Sequence, residues 1–551
     1  MQKFVLIILL LCSINLKAQS PLTSNLFNYH LVDRYEITQG KFSPDLFTTV
    51  KPFSSQSAAN FSQNLSLKSA TDSFNRDYLQ CDNLLFSNKS LCSRKPLLKH
   101  FYEAESALFK VKTDDFKLVV NPVLAFSGGM DNNDTLNNYR NSRGFEVRGS
   151  IADKVGFYTY VLENQQCYPN YLREKHQQTG VINGATLHKG FGEEAEDYFN
   201  VAGYVTVSPI EQIMVQFGQD RNFIGNGYRS LILSDNAAPN LFLKLNTKVW
   251  KLNYMNLFSE HSDFIKQGEG ANNPKKYSAF HHLSLNITDN LNIGLFENIV
   301  FDRQDSTEQP GFELAYLNPL IFYRAVEHGL NSRDNAILGM DLKWNFLKRF
   351  SFYGQLVLDE FNKDELVGRT KNWANKWASQ AGLKYINVAN VNNLDAQLEV
   401  NQIRPYVFQH RTKSQNWIHY NQSLAHPLGS NLREIIGRVR YQPIDRLSLD
   451  GIFSLSKQGI DSLNGSLTFG GDYTSAYSNI PDHSYAPMFQ GVENTIQTVS
   501  LNLSYMAWHN LFFDLGFILR NENNATWQTS RTNVILTFGM RLNANAFNYR
   551  Q

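Results

Sequence analysis

Between Phe217 and Pro239 the chain reads FGQDRNFIGNGYRSLILSDNAAP, a run that concentrates groups suited to molecular recognition. Arg221 and Arg229 carry planar guanidinium forks that grip carboxylate or sulfate in two-point fashion, which a lysine ammonium cannot do. Asp220 and Asp235 lie near them in sequence, so an internal charge-paired cluster is expected. Two outcomes stay open for it. One is a structural plug whose charges satisfy one another; the other is a polar ligand site in which Asn222, Tyr228, Ser234 and Asn236 join the charged groups around an acidic polysaccharide. Gly225 and Gly227 permit positive φ and close backbone approach, letting a strand that ends near Gly218 turn into a packed segment. Farther along, Arg324 and Glu327 stand three residues apart after Pro319 and suit an ion pair on one helical turn. His426, in LAHPLG, reads either as a loop residue fixed beside Pro427 and Gly429 or as a carbohydrate contact.

Catalysis would need a nucleophile with a base in reach, or two carboxylates sharing a task. His281 and His282 are adjacent, as are Asp359 and Glu360, but neighbours on a strand point to opposite faces and cannot share a ligand. No GxSxG elbow, HExxH pair or phosphate-binding loop is present. Hence no enzyme, metal or cofactor is expected. Cys81 and Cys92 close a short loop and are candidates for a disulfide once exported, with Cys167 left over.

The elements that position these residues show in the composition. The 551 residues contain 13% aromatics and only 19% charged residues, and mean hydropathy is −0.36. Disorder is excluded by the aromatic content, and a charge of +2 disfavours a nucleic-acid partner. Lys3, the apolar stretch Phe4 to Ile14 and the small residue Ala18 read as a signal peptide over residues 1–18, so export is expected. Its removal takes two lysines and no acid, leaving 50 basic and 50 acidic side chains.

From about Asp115 to Leu542 strict alternation dominates. Leu338, Met340, Leu342, Trp344 and Phe346 interleave with Gly339, Asp341, Lys343 and Asn345, then Lys348 and Arg349 mark a turn. The same pattern recurs over Leu283–Leu295, Val499–Leu519 and Val534–Leu542. Runs of about ten residues, joined by alternately tight and long connections with aromatics near their ends, match lipid-spanning strands better than a water-soluble sandwich. A closed barrel satisfies every backbone group in lipid, which an open sheet cannot. An all-β transmembrane antiparallel barrel of roughly eighteen strands over residues 113–551 is therefore expected. Residues 19–112 lack the alternation; they read as a periplasmic or plug-associated segment containing helix, with a helix-compatible stretch from Leu97 to Lys110.

The Arg221, Phe223, Gly225, Gly227 and Ser230 to Asn236 pattern, together with DNAILGMD from Asp334, resembles the signature of the capsule-assembly Wzi-type outer-membrane proteins. RGFEVRGSIADKVGFYTYVLENQ from Arg143, LNPLIFYRAVE from Leu317, FYGQLVLDEF from Phe352, HYNQSLAHPLGSN from His419 and TTVKPF from Thr48 are similar to its branch in gliding bacteria, the RemB-type motility proteins. The resemblance implies an outer-membrane barrel in contact with lipid, associated with surface or capsular polysaccharide and with gliding-motility surface proteins. Alternatives are a structural or adhesin-partner barrel without glycan binding, and a diffusion porin. NAFNYRQ does not end on the aromatic common in bacterial barrels, so insertion signals are expected within Val534 to Leu542.

Overall fold

The alternation folds as a computed structural model of a closed antiparallel barrel of eighteen strands. The structure describes residues 26–44, 46–87, 102, 104–192, 194–264, 273–302, 312–319, 334–359, 371–461, 467–525 and 528–546. The first nine strands are β1 (Phe116–Asp131), β2 (Asn138–Ile151), β3 (Val155–Cys167), β4 (Ala195–Ile210), β5 (Ile213–Asp220), β6 (Asn240–Val249), β7 (Leu252–Ser262), β8 (Lys275–Asn286) and β9 (Leu291–Phe301). The second nine are β10 (Asn335–Phe346), β11 (Phe350–Asp359), β12 (Trp377–Tyr385), β13 (Leu394–Ile403), β14 (Leu432–Ile444), β15 (Leu447–Ile460), β16 (Val492–Trp508), β17 (Leu511–Asn524) and β18 (Thr529–Leu542). Strand β18 pairs back onto β1, with Phe538 opposite Gly128 and Leu542 opposite Leu124. The sheet thus closes on itself along this seam, and on that side only the first residues of β1, before Leu124, extend past β18.

Burial is inverted relative to a water-soluble sheet. On β10, Met340 and Trp344 are exposed on the outside, whereas Asp341, Lys343 and Asn345 are buried on the lumen side. Leu536 and Phe538 on β18 face outward in the same way, and Asn533 is buried. The outer belt is apolar because lipid is its solvent, and the inner face is polar because it packs against other polar protein groups.

Tight turns collect at one rim: residues 152–154, 211–212, 250–251, 287–290, 347–349, 445–446 and 509–510. At this rim lie three helices, α1 (Leu26–Gln39), α2 (Ser55–Gln63) and α3 (Ala70–Asp82). Ser54 caps α2 by accepting from the Ser57 amide, and Ser69 and Asp72 form a reciprocal capping box on α3, which fixes where both helices start. Leu31, Val32, Tyr35, Phe53, Phe61 and Leu79 make a small apolar core that also takes in Met506 and Phe512 of the wall. The Phe42 amide donates to the Asp289 carbonyl at 2.7 Å, Thr71 to Asp445 at 2.9 Å, and the Tyr78 hydroxyl to Asn510 at 2.5 Å. Each of these bonds ends on a tight turn, so the helices close the short-turn rim.

The helix expected from Leu97 to Lys110 is not found in the described part of that stretch. Ala104 and Ala107 form an isolated bridge, and Phe109–Lys112 is a strand paired with β1 through Phe109–Val120 and Val111–Leu118. A free strand edge nearby outweighed a weak helical pattern. Residues 1–18 and Cys92 lie outside the described residues; Cys81 is disulfide-bonded and Cys167 is a free buried thiol.

One segment runs over the outside of the wall. Asn256, His281 and Glu297 sit side by side across β7, β8 and β9, on the face that alternation turns toward lipid, yet all three are buried. Residues 312–319 pack on the same face. Phe312 packs its ring edge-on against Phe258, Tyr277 and Phe301, and buried Tyr316 donates to Asp334 at 2.6 Å. His282, the next residue, faces the lumen and bonds Asp341 at 2.5 Å, so the histidine doublet is indeed split between two faces.

Candidate functional site

Residues 221–239 leave β5 and fold into the lumen rather than over the rim. Ile224, Leu231, Ile232 and Leu233 insert into an apolar cluster with Val407, Phe408, Trp417 and Leu424 from the 404–431 connection. Two glycines make the winding feasible. Gly225 has φ 149°, and a Cβ there would come within 2.6 Å of the Gln355 amide. Gly227 is not in the left-handed region, but a Cβ would meet the Glu399 carboxylate at 2.5 Å. Close approach is therefore its reason for being glycine.

The loop is fastened by carboxylates on the far wall. Glu399 of β13 accepts from the Tyr228 and Arg229 amides at 2.6 and 3.0 Å. Glu434 of β14, itself 1% exposed, accepts from both ends of the Arg229 fork at 3.2 and 3.0 Å and lies 2.6 Å from His426 Nε2. Ser234 donates to the Ala425 carbonyl and Asn236 to that of Ser423, joining the two inward loops. The expected pairing of Arg221 and Arg229 with Asp220 and Asp235 does not form. The fold of the loop carries Arg229 across the lumen to Glu434, while the Arg221 guanidinium donates to the backbone carbonyls of Ala237, at 2.9 Å, and Gly184. Asp220 accepts from the Arg221 amide, not from its guanidinium, and Asp235 is exposed.

Between this loop, α1 and the wall lies a cavity. Asp220, Arg221, Asn222, Gly227, Tyr228 and Asp235 line it. Arg229, Ser234, Asn236, Gly225 and His426 do not line it; they hold the loop in place. Arg324 and Glu327 lie outside the described residues. Sequence reasoning missed Tyr29, His30 and Asp33 of α1, Lys51, Tyr158 of β3, Tyr204 of β4, Lys384 of β12, and Arg438 and Arg440 of β14. A signal for the last two was present, since Arg438 and Arg440 are two apart on one strand and must share a face.

The chemistry of the cavity is aromatic and cationic. Tyr158 and Tyr204 stack with ring centres 5.1 Å apart, and the Tyr228 ring lies 5.1 Å from the Arg229 guanidinium and 5.3 Å from that of Arg438. Arg438 bonds Asp450, and Arg440 reaches the same carboxylate at 3.8 Å. Lys384 bonds Asp33 at 2.5 Å. Burial raises the Asp33 carboxyl, but the ammonium groups of Lys343 and Lys384 outweigh burial and hold it well below its ordinary range. Lys51 donates to the Gly225 carbonyl at 2.7 Å; burial, then repulsion from Lys384, pushes it down to about 7. Five cations and three carboxylates therefore face the space, with the cations in excess. Among the described residues no group of three or more His, Cys, Asp or Glu side chains is placed to hold a metal ion.

The model of the family described as capsule assembly protein Wzi matches residues 132–523. Among solved structures the chain is similar to Wzi, an outer membrane protein involved in group 1 capsule assembly in Escherichia coli and a carbohydrate binding β-barrel. Identity is 13% and the TM-score 0.59, with 96% of this chain and 100% of that chain covered. OccAB2 of Acinetobacter baumannii is 9% identical, at TM-score 0.43, over 77% of this chain and 97% of that one. OprD of Pseudomonas aeruginosa is 12% identical, at TM-score 0.41, over 77% and 95%. Among curated proteins no sequence matches.

Proposed function

Given that the chain belongs to the capsule assembly protein Wzi family and is an outer-membrane barrel, we propose that it binds an acidic surface polysaccharide through the lumen cavity beneath the 221–239 loop. The observation that carries this reading is the stacked Tyr158–Tyr204 pair facing the same space as Arg438, Arg440 and Lys51. Sugar rings offer apolar faces to aromatic side chains, and guanidinium forks match uronate or sulfate groups. The carbohydrate-binding barrel of Escherichia coli, at low identity, supports the same class of ligand. Retention of a polygalacturonate oligomer by the detergent-solubilised protein tests it. Arg438→Gln with Arg440→Gln lowers retention at least tenfold, while a neutral dextran control is unaffected. Equal retention by the folded variant would sink the reading. Because Lys51 titrates near 7, it loses its charge as pH rises, so retention falls between pH 6 and pH 8.

The finer reading is that this binding serves gliding motility, supported by the resemblance of the Arg143, Leu317, Phe352 and His419 stretches to RemB-type proteins. Deleting the gene removes colony spreading and alters capsule staining together. Lost spreading with normal capsule would instead favour an adhesin-partner role without glycan.

A further inference from the structure

Strand β15 shows where the apolar belt stops. Its outward residues Leu447, Leu449, Phe453 and Leu455 start beside the 445–446 turn, and this tilted stretch rises roughly 20 Å, close to the height of a lipid-facing band. The next outward position is Lys457. It stands level with Gln402 of β13, Arg433 of β14 and Thr495 of β16, in one row across neighbouring strands. Arg433 is exposed whereas Leu432 and Glu434 beside it are buried in the lumen, so alternation turns the guanidinium toward the outer surface. Short turns mark the periplasmic rim of bacterial barrels, which places this row at the boundary of the outer leaflet.

Arg433 and Lys457 are direct cross-strand partners, and like charges directly opposite each other destabilise a ladder. Their surroundings offset this only in part. Nε and Nη2 of Arg433 both donate to the neutral side-chain oxygen of Gln402, at 3.1 and 2.8 Å, and among the described residues no carboxylate joins them. Lys457 lies 2.8 Å from Glu493, with its ammonium 5.0 Å from the centre of the Phe489 ring. Two cations therefore share one carboxylate. By contrast Arg143 and Lys275, also on the outer wall, each have an acid of their own, Glu163 at 3.3 Å and Glu260 at 2.8 Å.

We propose that this row holds the phosphate of an outer-leaflet lipid, a phosphate monoester on a headgroup whose acyl chains lie against the wall below. Val400, Ile435 and Leu455 form the next outward row beneath the cations and supply that apolar surface. A guanidinium fork takes two phosphate oxygens, and the ammonium adds a point charge from the other side. An anion between the two side chains turns their mutual repulsion into attraction to a common partner. The site lies on the opposite face of the wall from the lumen cavity and stands whether or not that cavity takes a glycan.

Native mass spectrometry of the full chain released from detergent micelles, with diphosphoryl lipid A and with phosphatidylcholine as probes, tests the proposal. Wild type retains lipid A in preference to phosphatidylcholine. Arg433→Gln with Lys457→Gln lowers lipid A retention on the order of tenfold, the loss expected of two charge-assisted phosphate contacts. Glu493→Gln, which frees Lys457 from its carboxylate, raises retention. Arg143→Gln with Lys275→Gln, at cations already paired, leaves it unchanged. All five side chains are exposed or half-buried, so each variant keeps the heat-modifiable electrophoretic mobility of the folded barrel. Equal retention of lipid A by wild type and the Arg433 and Lys457 variant overturns the site. An equal loss from the Arg143 and Lys275 variant does so too, since any charge on the outer wall would then suffice. Displacement of the lipid by inorganic phosphate would show a free-ion site and overturn the lipid assignment.

Discussion

Glu434→Ala frees the 221–239 loop from the wall and makes it cleavable by protease, with planar-bilayer conductance rising as the lumen loosens. Glu434 is buried and receives the Arg229 fork, the His426 ring and, at 3.3 Å, the Ser456 hydroxyl. Removing it strands the Arg229 guanidinium without its carboxylate, a change that costs about 3–5 kcal/mol when a buried pair loses one partner. Cleavage within the loop then rises on the order of a hundredfold or more, since every 1.4 kcal/mol is about tenfold. The barrel itself persists, because β14 keeps its ladder to β13 and β15. Glu434→Gln keeps an acceptor for the fork and gives a smaller effect. If Glu434→Ala resists protease as well as wild type, the loop is held by its apolar contacts and not by this carboxylate.

Lys343→Met undocks α1. Reaching inward from β10, the Lys343 ammonium bonds Asp33 at 2.9 Å, Thr48 at 2.9 Å and Glu36, all from the N-terminal segment. Asp33 keeps Lys384 after the change, but Glu36, 1% exposed, is left without its cation. The expected cost is again about 3–5 kcal/mol, read as lost hydrogen-exchange protection over residues 26–39. The pH dependence gives a second signature. In wild type the depressed Asp33 carboxyl contributes stability above its unfolded value near 4 and loses it as pH falls through the folded value, so acid weakens docking. Burial already raises the Glu36 carboxyl. Without Lys343 it rises further, so lowering pH restores protection in the variant. Protection that stays at wild-type level in Lys343→Met shows that the other contacts suffice to seat α1.

The barrel was legible because two solvents act on one wall. Lipid outside and a polar lumen inside impose period two, which β10 follows throughout, while β16, β17 and β18 depart from it only where Met506, Phe512, Ile518 and Ile535 turn inward onto apolar clusters. The inward course of the 221–239 loop was legible from its glycines and its apolar Leu231, Ile232 and Leu233. Its partners were not, because Glu399 and Glu434 lie about 170 to 205 residues away and look like any inward polar residue of a strand. Helix α1 escaped detection for a related reason. It is met by apolar side chains such as Phe53 and by lumen cations such as Lys343, so its polar and apolar residues do not sort onto two faces. At the other extreme, the Leu97–Lys110 pattern looked helical and its described end became a strand, since the edge of β1 was available to pair with Phe109–Lys112.

The packing of residues 312–319 on Phe258, Tyr277 and Phe301 gives the cylinder a front and a back. Over that arc acyl chains touch Leu314 and Leu317 of a connecting segment in place of the strands. Neighbouring molecules in the bilayer plane thus meet two unlike flanks, and the molecule takes up a defined azimuth within its surroundings.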